Sequence, residues 1–303
     1  KDIVWTTPLS FVATSNCALY FGAKINFIDI EKNTGLIDLK LLEKKLKNSK
    51  KDKLPKLIIV VHYAGQSCDM KSIYKLKKKY HFSVIEDASH AIGSEYLNTK
   101  VGSCKYSDIT TFSFHPVKNI TTGEGGASLT NHKKYYEKMK LFINHGINKN
   151  IDDRIIKNQP WIYNQEKLGY NYRLTDFQAS LGISQLKKID HLKAKKIKLK
   201  KIYDQSFKKL PINILKINHK NKICQHLYVI FLKNHLLRLK LYKFLLSKGI
   251  KTQIHYIPIY KHDYYKKKNY FSCPNCEEFY NTALSIPFYS SISIKDLKRV
   301  IRE

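Results

Sequence analysis

Ser113-Phe114-His115-Pro116-Val117-Lys118-Asn119-Ile120-Thr121-Thr122-Gly123-Glu124-Gly125-Gly126 is the stretch from which the fold is read. An apolar β-type run, Ile109 to Phe114, leads into it, and a Gly-Gly pair closes it. Between them stands Lys118, on a short structured loop with little other charge around it. A lysine held there suits covalent work: a desolvated amine with a lowered pKa forms a Schiff base with a carbonyl. The plain alternative is a surface loop lysine, in a chain where all but five of the 55 basic residues are lysine.

Upstream, short apolar runs alternate with amphipathic stretches, the pattern of an α/β domain. The runs predict strands over Ile3 to Thr7, Lys24 to Ile30, Leu57 to Val61 and Phe82 to Ile85, with Glu86-Asp87 at the end of the last. Helices are expected over Ser10 to Tyr20, over Asp38 to Lys47 and after Asp69, where Met70, Ile73, Leu76 and Tyr80 recur at helical spacing. Downstream, Ala127 to Thr130 reads as a strand and Lys133 to Asn144 as a helix. Lys149 to Gln165 is polar and irregular, and Leu174 to about Lys208 is one long helix or two end to end. The basic run Lys193 to Lys201 is expected to be that helix's solvated face. After Pro211 a smaller α/β unit follows: strands Leu227 to Leu232 and Thr252 to His255, a helix Leu236 to Ser247, and a last helix from Ser293. The expected domains are therefore 1–208 and 209–303.

The chain has 303 residues, is 43% hydrophobic and carries a net charge of +31. The charge invites a nucleic-acid reading, but Arg154, Arg173, Arg238, Arg299 and Arg302 are the only arginines. A selected nucleic-acid surface leans on arginine for bidentate contacts. The lysines are scattered over every predicted helix, so no nucleic-acid partner is expected. A positive field would instead attract a phosphorylated substrate. No run of about 18 apolar residues exists, so no membrane partner is expected. Six cysteines with no disulfide spacing fit a reduced cytoplasmic protein. Cys273-Pro274-Asn275-Cys276 is a lone C-x-x-C without two matched further ligands, so no metal is expected. Lys1 leads at once into an apolar strand, and the chain reads as N-terminally truncated.

Ligands of open α/β sheets sit beyond the carboxyl ends of the strands. Asp87, His90 and Lys118 all fall there. A strand-end Asp needs a positive partner, and a pyridinium nitrogen is one. A Schiff-base lysine with an Asp for a ring nitrogen is the protein half of pyridoxal phosphate chemistry. Ser113 and Ser94 offer hydroxyls to a phosphate, and Phe11, after a strand-Pro turn, offers a ring to stack. Taken singly, Asp87 reads more often as a helix cap, His90 as a structural histidine and Phe11 as core, and only their joint arrangement argues for a site.

Seven segments occur in order: Thr6 to Thr14 (TTPLSFVAT), Val61 to Gly65 (VHYAG), Glu86 to Ala91 (EDASHA), Ser113 to Lys118 (SFHPVK), Glu124 to Ala127 (EGGA), Gly169 to Leu174 (GYNYRL) and His255 to Pro258 (HYIP). In this the chain resembles the DegT/DnrJ/EryC1/StrS sugar aminotransferases over nearly its whole length. The resemblance implies an aspartate-aminotransferase-like fold of PLP fold type I, with a mixed, mostly parallel sheet. It also implies pyridoxal 5'-phosphate and a homodimer. Carried over by residue, Lys118 would bear the cofactor, Asp87 hold its ring nitrogen protonated and His90 lie beside the ring. Ser113 would meet the phosphate, Phe11 cover a ring face and Asn171 reach the partner subunit's phosphate. Gln253 to Tyr260 and Asn119 to Gly126 point to the pseudaminic acid branch, with the aminoarabinose branch close behind. The expected reaction moves an amino group from glutamate to C4 of a UDP-linked 4-keto-6-deoxy amino sugar. The sugar 3-dehydratase branch replaces the lysine with histidine, which Lys118 argues against. A non-catalytic or nucleic-acid-binding relative is the reading from another class. Two departures stand out. Pro116 replaces a common Ala, and the family's N-terminal phosphate-binding loop precedes Lys1, so this chain is expected to hold the cofactor weakly.

Overall fold

Leu57-Ile-Ile-Val-Val61 has no polar face, and a strand of that kind must be covered on both sides. In the computed structural model, which describes residues 1–148, 161–266 and 272–303, it becomes β3, a central strand of a six-stranded sheet. The other strands are β1 (Ile3–Thr6), β2 (Lys24–Phe27), β4 (Ser83–Asp87), β5 (Ile109–Ser113) and β6 (Gly126–Leu129). Their spatial order is β2-β1-β3-β4-β5-β6. All neighbours run parallel except β6, which returns antiparallel to β5. The sheet is mixed and mostly parallel, as the resemblance implies.

The helices on this sheet start where side chains can satisfy their free N–H groups. Asp38 accepts from Lys40 and Leu41 at the head of α2 (Leu39–Asn48), and Asp69 accepts from Ser72 at the head of α3 (Met70–Tyr80). α1 is shorter than expected, Ala13–Leu19, so Phe11 sits in the turn before it. α4 covers Lys133–Phe142. The long helix is two: α5 (Asp176–Lys187), opened by a Thr175/Gln178 capping box, and α6 (Ile189–Phe207), parted at Lys188.

A second core draws Leu199, Tyr203 and Phe207 of α6 together with the C-terminal elements. These are a three-stranded sheet of β7 (Asn213–Ile214), β8 (Tyr228–Phe231) and β9 (Ala283–Ile286), in the order β7-β8-β9, with α7 (His235–Ser247) and α9 (Ile294–Arg302). α8 (Pro274–Thr282) and β9 were not legible in the periodicity, and Phe279 and Ala283 pack into the larger core that holds Trp5 of β1, Leu42 of α2 and Val60 of β3. The strand expected over Thr252 to His255 is reduced to one bridge, Gln253 to Ser285, because the chain turns away directly to reach the site. Most of the polar stretch 149–165 lies outside the described residues. Among the described residues no helix is long and apolar enough to cross a membrane.

Candidate functional site

The site forms at the carboxyl ends of β4 and β5. Register places Asp87 between Val61 of β3 and Thr111 of β5, at the last paired position of its strand. Both its oxygens are engaged. Thr14 Oγ1 donates to one at 2.6 Å; Ser89 donates to the other through Oγ at 2.6 Å and through its backbone N–H at 3.2 Å. The hydroxyls of Thr14 and Ser10 are 2.6 Å apart. The helix after the strand-Pro turn therefore fixes a carboxylate 73 residues away in sequence.

The loop carrying Lys118 is closed at its base. Phe114 donates to Gly125 O, and its own carbonyl accepts from Thr122 N–H and the Thr121 hydroxyl. Gly126 is needed where β6 leaves this base: a Cβ there would stand 2.6 Å from Phe112 O. At the tip, Lys118 N–H donates to His115 O at 2.9 Å. Burial lowers the Lys118 pKa, and the Asp87 carboxylate opposes that drop.

His90 is buried on the other side. Its Nε2 lies 3.0 Å from the Tyr256 hydroxyl, its ring packs 4.3 Å from that of His226, and among the described residues its Nδ1 has no partner. His226 is buried too, and its Nδ1 is likewise without a partner among the described residues. Burial presses both well below the ordinary histidine pKa, helped for His90 by the charges of Lys118, His255 and Lys196. His255 is pushed down to about 4 by burial and by Lys118. Phe11 is 61% exposed, 6.3 Å from the ring of Tyr256.

The structure thus brings Lys118, Asp87, His90 and Phe11 into one neighbourhood, with Ser113 at the start of the Lys118 loop. The Ser113 hydroxyl accepts a long bond from His115 N–H at 3.4 Å, which leaves its own proton to donate. Asn171 lies apart from these contacts. It is exposed and bridges Asn144. Ser94 does not serve as a phosphate donor: it is fully buried, donates to Gly65 O and accepts from Cys224 N–H. The face of Lys193 to Lys201 is not simply solvated either. Lys196 is 7% exposed, and Lys193 donates to Gly93 O. Tyr256, His226 and Thr14 went unassigned in the sequence. Thr14 and Tyr256 sit inside segments that carry the resemblance, whereas nothing in the pattern around His226 marks it.

Comparison with known proteins places the chain in a family. The DegT/DnrJ/EryC1/StrS aminotransferase family matches residues 1–303. A UDP-4-amino-4,6-dideoxy-N-acetyl-beta-L-altrosamine transaminase of Campylobacter jejuni subsp. jejuni serotype O:23/36 (strain 81-176) is 44% identical over 304 residues, covering 99% of this chain and 77% of that protein. Among solved structures, Helicobacter pylori PseC, an aminotransferase involved in the biosynthesis of pseudoaminic acid, superposes with a TM-score of 0.90 at 36% identity, covering 99% of this chain and 78% of that one. The PLP-form of Spr1654, a putative sugar aminotransferase from Streptococcus pneumoniae, gives 0.88 at 25% identity, covering 99% and 79%. With a family match across the whole chain and a relative this similar, the chain belongs to the DegT/DnrJ/EryC1/StrS aminotransferase family.

Proposed function

We propose that this chain is a pyridoxal phosphate-dependent aminotransferase that moves an amino group from glutamate to C4 of a UDP-linked 4-keto-6-deoxy amino sugar, with Lys118 as its Schiff-base lysine. One observation carries the reading: a carboxylate anchored by Thr14 and Ser89 at the end of a central strand, facing a lysine whose pKa burial has lowered. The residues fit the cofactor. Among the described residues His90 keeps a buried nitrogen without a partner, Phe11 presents an uncovered ring beside Tyr256, and Ser113 has a hydroxyl proton to give. When bound, pyridoxal phosphate supplies an electron sink.

The chain's own groups set up the rest. Asp87 accepts three hydrogen bonds and gives none, which suits it to hold a proton on a ring nitrogen. A lowered pKa leaves more of Lys118 as free amine near neutrality, both to bond a carbonyl and to carry a proton at Nζ. The neutral imidazole of His90 is available for a hydrogen bond without adding charge beside Lys118.

The enzyme works as a homodimer in this reading. Trp161, Leu168, Tyr172 and Phe177, the last 90% exposed, leave an apolar stretch uncovered around Asn171. Docking a second copy there would cover it and carry Asn171 to the partner's phosphate. Six free thiols accord with a cytoplasmic setting.

The test loads the chain with pyridoxal phosphate, reduces it with borohydride and maps the adduct by mass spectrometry. The adduct is expected on Lys118, and an adduct on a different lysine refutes the assignment. Assays with glutamate and a panel of UDP-linked and other nucleotide-linked keto sugars then settle the substrate, with amination at C4 of the 6-deoxy amino sugar expected to be fastest.

A further inference from the structure

α6 carries a lysine that no part of this chemistry uses. Lys193 and Lys196 face inward from a helix whose neighbours Lys195 and Lys198 are exposed. Lys193 Nζ donates to Gly93 O at 3.0 Å, gripping the turn that follows His90. Lys196 goes deeper. It is 7% exposed, and its ammonium lies 5.5 Å over the ring of Phe288. Its Nζ donates to Asn119 Oδ1 at 2.7 Å. Among the described residues no carboxylate pairs with it; the neutral amide of Asn119 is its hydrogen-bond partner. A buried ammonium held this way costs folding free energy, so a gain elsewhere should account for it.

Asn119 shows where the gain falls. It is the residue after Lys118, and both ends of its amide are used. Oδ1 accepts from Lys196, while Nδ2 donates to Cys224 O at 2.9 Å. Cys224 is in turn held by Ser94, two residues ahead of the buried His226. The base of the 114–125 loop is closed by its own backbone bonds, and at the tip Lys118 N–H donates to His115 O within the same loop, so those bonds do not tie the tip to the rest of the fold. The Lys196–Asn119–Cys224 chain fixes the tip.

We propose that Lys196 is a positioning residue for Lys118, acting through Asn119 to set the direction in which the Lys118 side chain leaves its loop. This rests on the reading that Lys118 carries the cofactor. A misplacement of about 1 Å at a reacting group slows turnover by about a hundredfold, so a tie one residue away matters to rate more than to binding.

The experiment uses the pyridoxal phosphate-loaded chain with Lys196→Met, Asn119→Ala, the double variant, Lys196→Arg, and Lys195→Met as the exposed control. Each of the first two should lower kcat by about a hundredfold with KM moved less than about threefold. The double variant should be no worse than the poorer single one, since both cut one link. Visible circular dichroism per bound cofactor should fall in both single variants while borohydride still places the adduct on Lys118. Lys196→Arg, which keeps a donor, should recover most of the signal, and Lys195→Met should match the unaltered chain. Unchanged kcat and dichroism in Lys196→Met overturn the proposal, as does a drop in melting temperature with turnover intact. Should Lys196→Met fail to fold, Asn119→Ala cuts the same bond from the half-buried loop side and decides alone. An adduct that maps away from Lys118 in the unaltered chain would instead sink the underlying assignment, leaving the two failures distinct.

Discussion

His62 and His90 follow the adjacent strands β3 and β4, and both are buried, yet their surroundings differ in kind. His62 has each nitrogen matched: Nε2 stands 2.6 Å from Glu86 Oε2, and Nδ1 receives the Cys68 N–H at 3.3 Å. Glu86 is itself held by Ser107 and Thr110. Against the cost of burial, the Cys68 side chain and Glu86 raise the His62 pKa. Among the described residues His90 has no carboxylate partner and no partner for Nδ1, and its ring packs at a tilt against a second histidine in the same condition. The contrast shows that one strand end is finished within the fold, while the next is built with groups left over. Leftover buried polar atoms are what a ligand site contains before its ligand arrives.

Three perturbations break or sharpen this contrast. The largest falls on the unfinished side. Asp87→Ala should cut transamination on the order of a thousandfold, yet keep some cofactor through Lys118, as measured by turnover and by the adduct yield after borohydride. Near-normal turnover would rule out its role.

The finished side should respond in stability. Glu86→Leu strips the partner from His62, Ser107 and Thr110 together. Breaking one half of such a buried pair costs about 3–5 kcal/mol, to be read from urea midpoints. A loss under about 1 kcal/mol would mean that the two strand ends are alike after all.

The smallest effect is in pH. His90 and His226 have folded pKa values below their unfolded ones, so the unfolded chain takes up protons first on acidification. Their neutral burial is without penalty above about pH 6.5, and stability falls as pH drops below that. Around His90 stand Lys118, His255 and Lys196, all cationic or neutral, and none offsets the trend. Between pH 6.5 and 5 the urea midpoint should therefore fall as the pH is lowered. His226→Phe should remove part of that fall, whereas an unchanged pH slope would show that the pair is not buried neutral.

Much of the fold was legible because burial forces composition. A strand covered on both faces must be apolar, so Leu57 to Val61 announced itself, and Asp38 and Asp69 announced the helices they cap. The Cys273 helix and the strand after it were not, because nine residues with mixed polarity have no clean period and take their place from the core they meet. The site divides in the same way. Lys118, Asp87 and His90 stand in short segments at strand ends, where residue type and position alone suggest chemistry. Ser94 has the right type and position, yet its hydroxyl is consumed by Gly65 and Cys224.

What the sequence by itself determined is the α/β order, the family, and a lysine, an aspartate and a histidine at the ends of successive strands. These follow from local pattern, which is written into neighbouring residues. Tertiary structure alone decided that Thr14 holds Asp87, that His226 backs His90 and that one lysine among many, Lys196, turns inward to Asn119. Each of those joins residues 73 to 136 positions apart. A contact across such a span depends on where the packed core brings two side chains, and no local period encodes that.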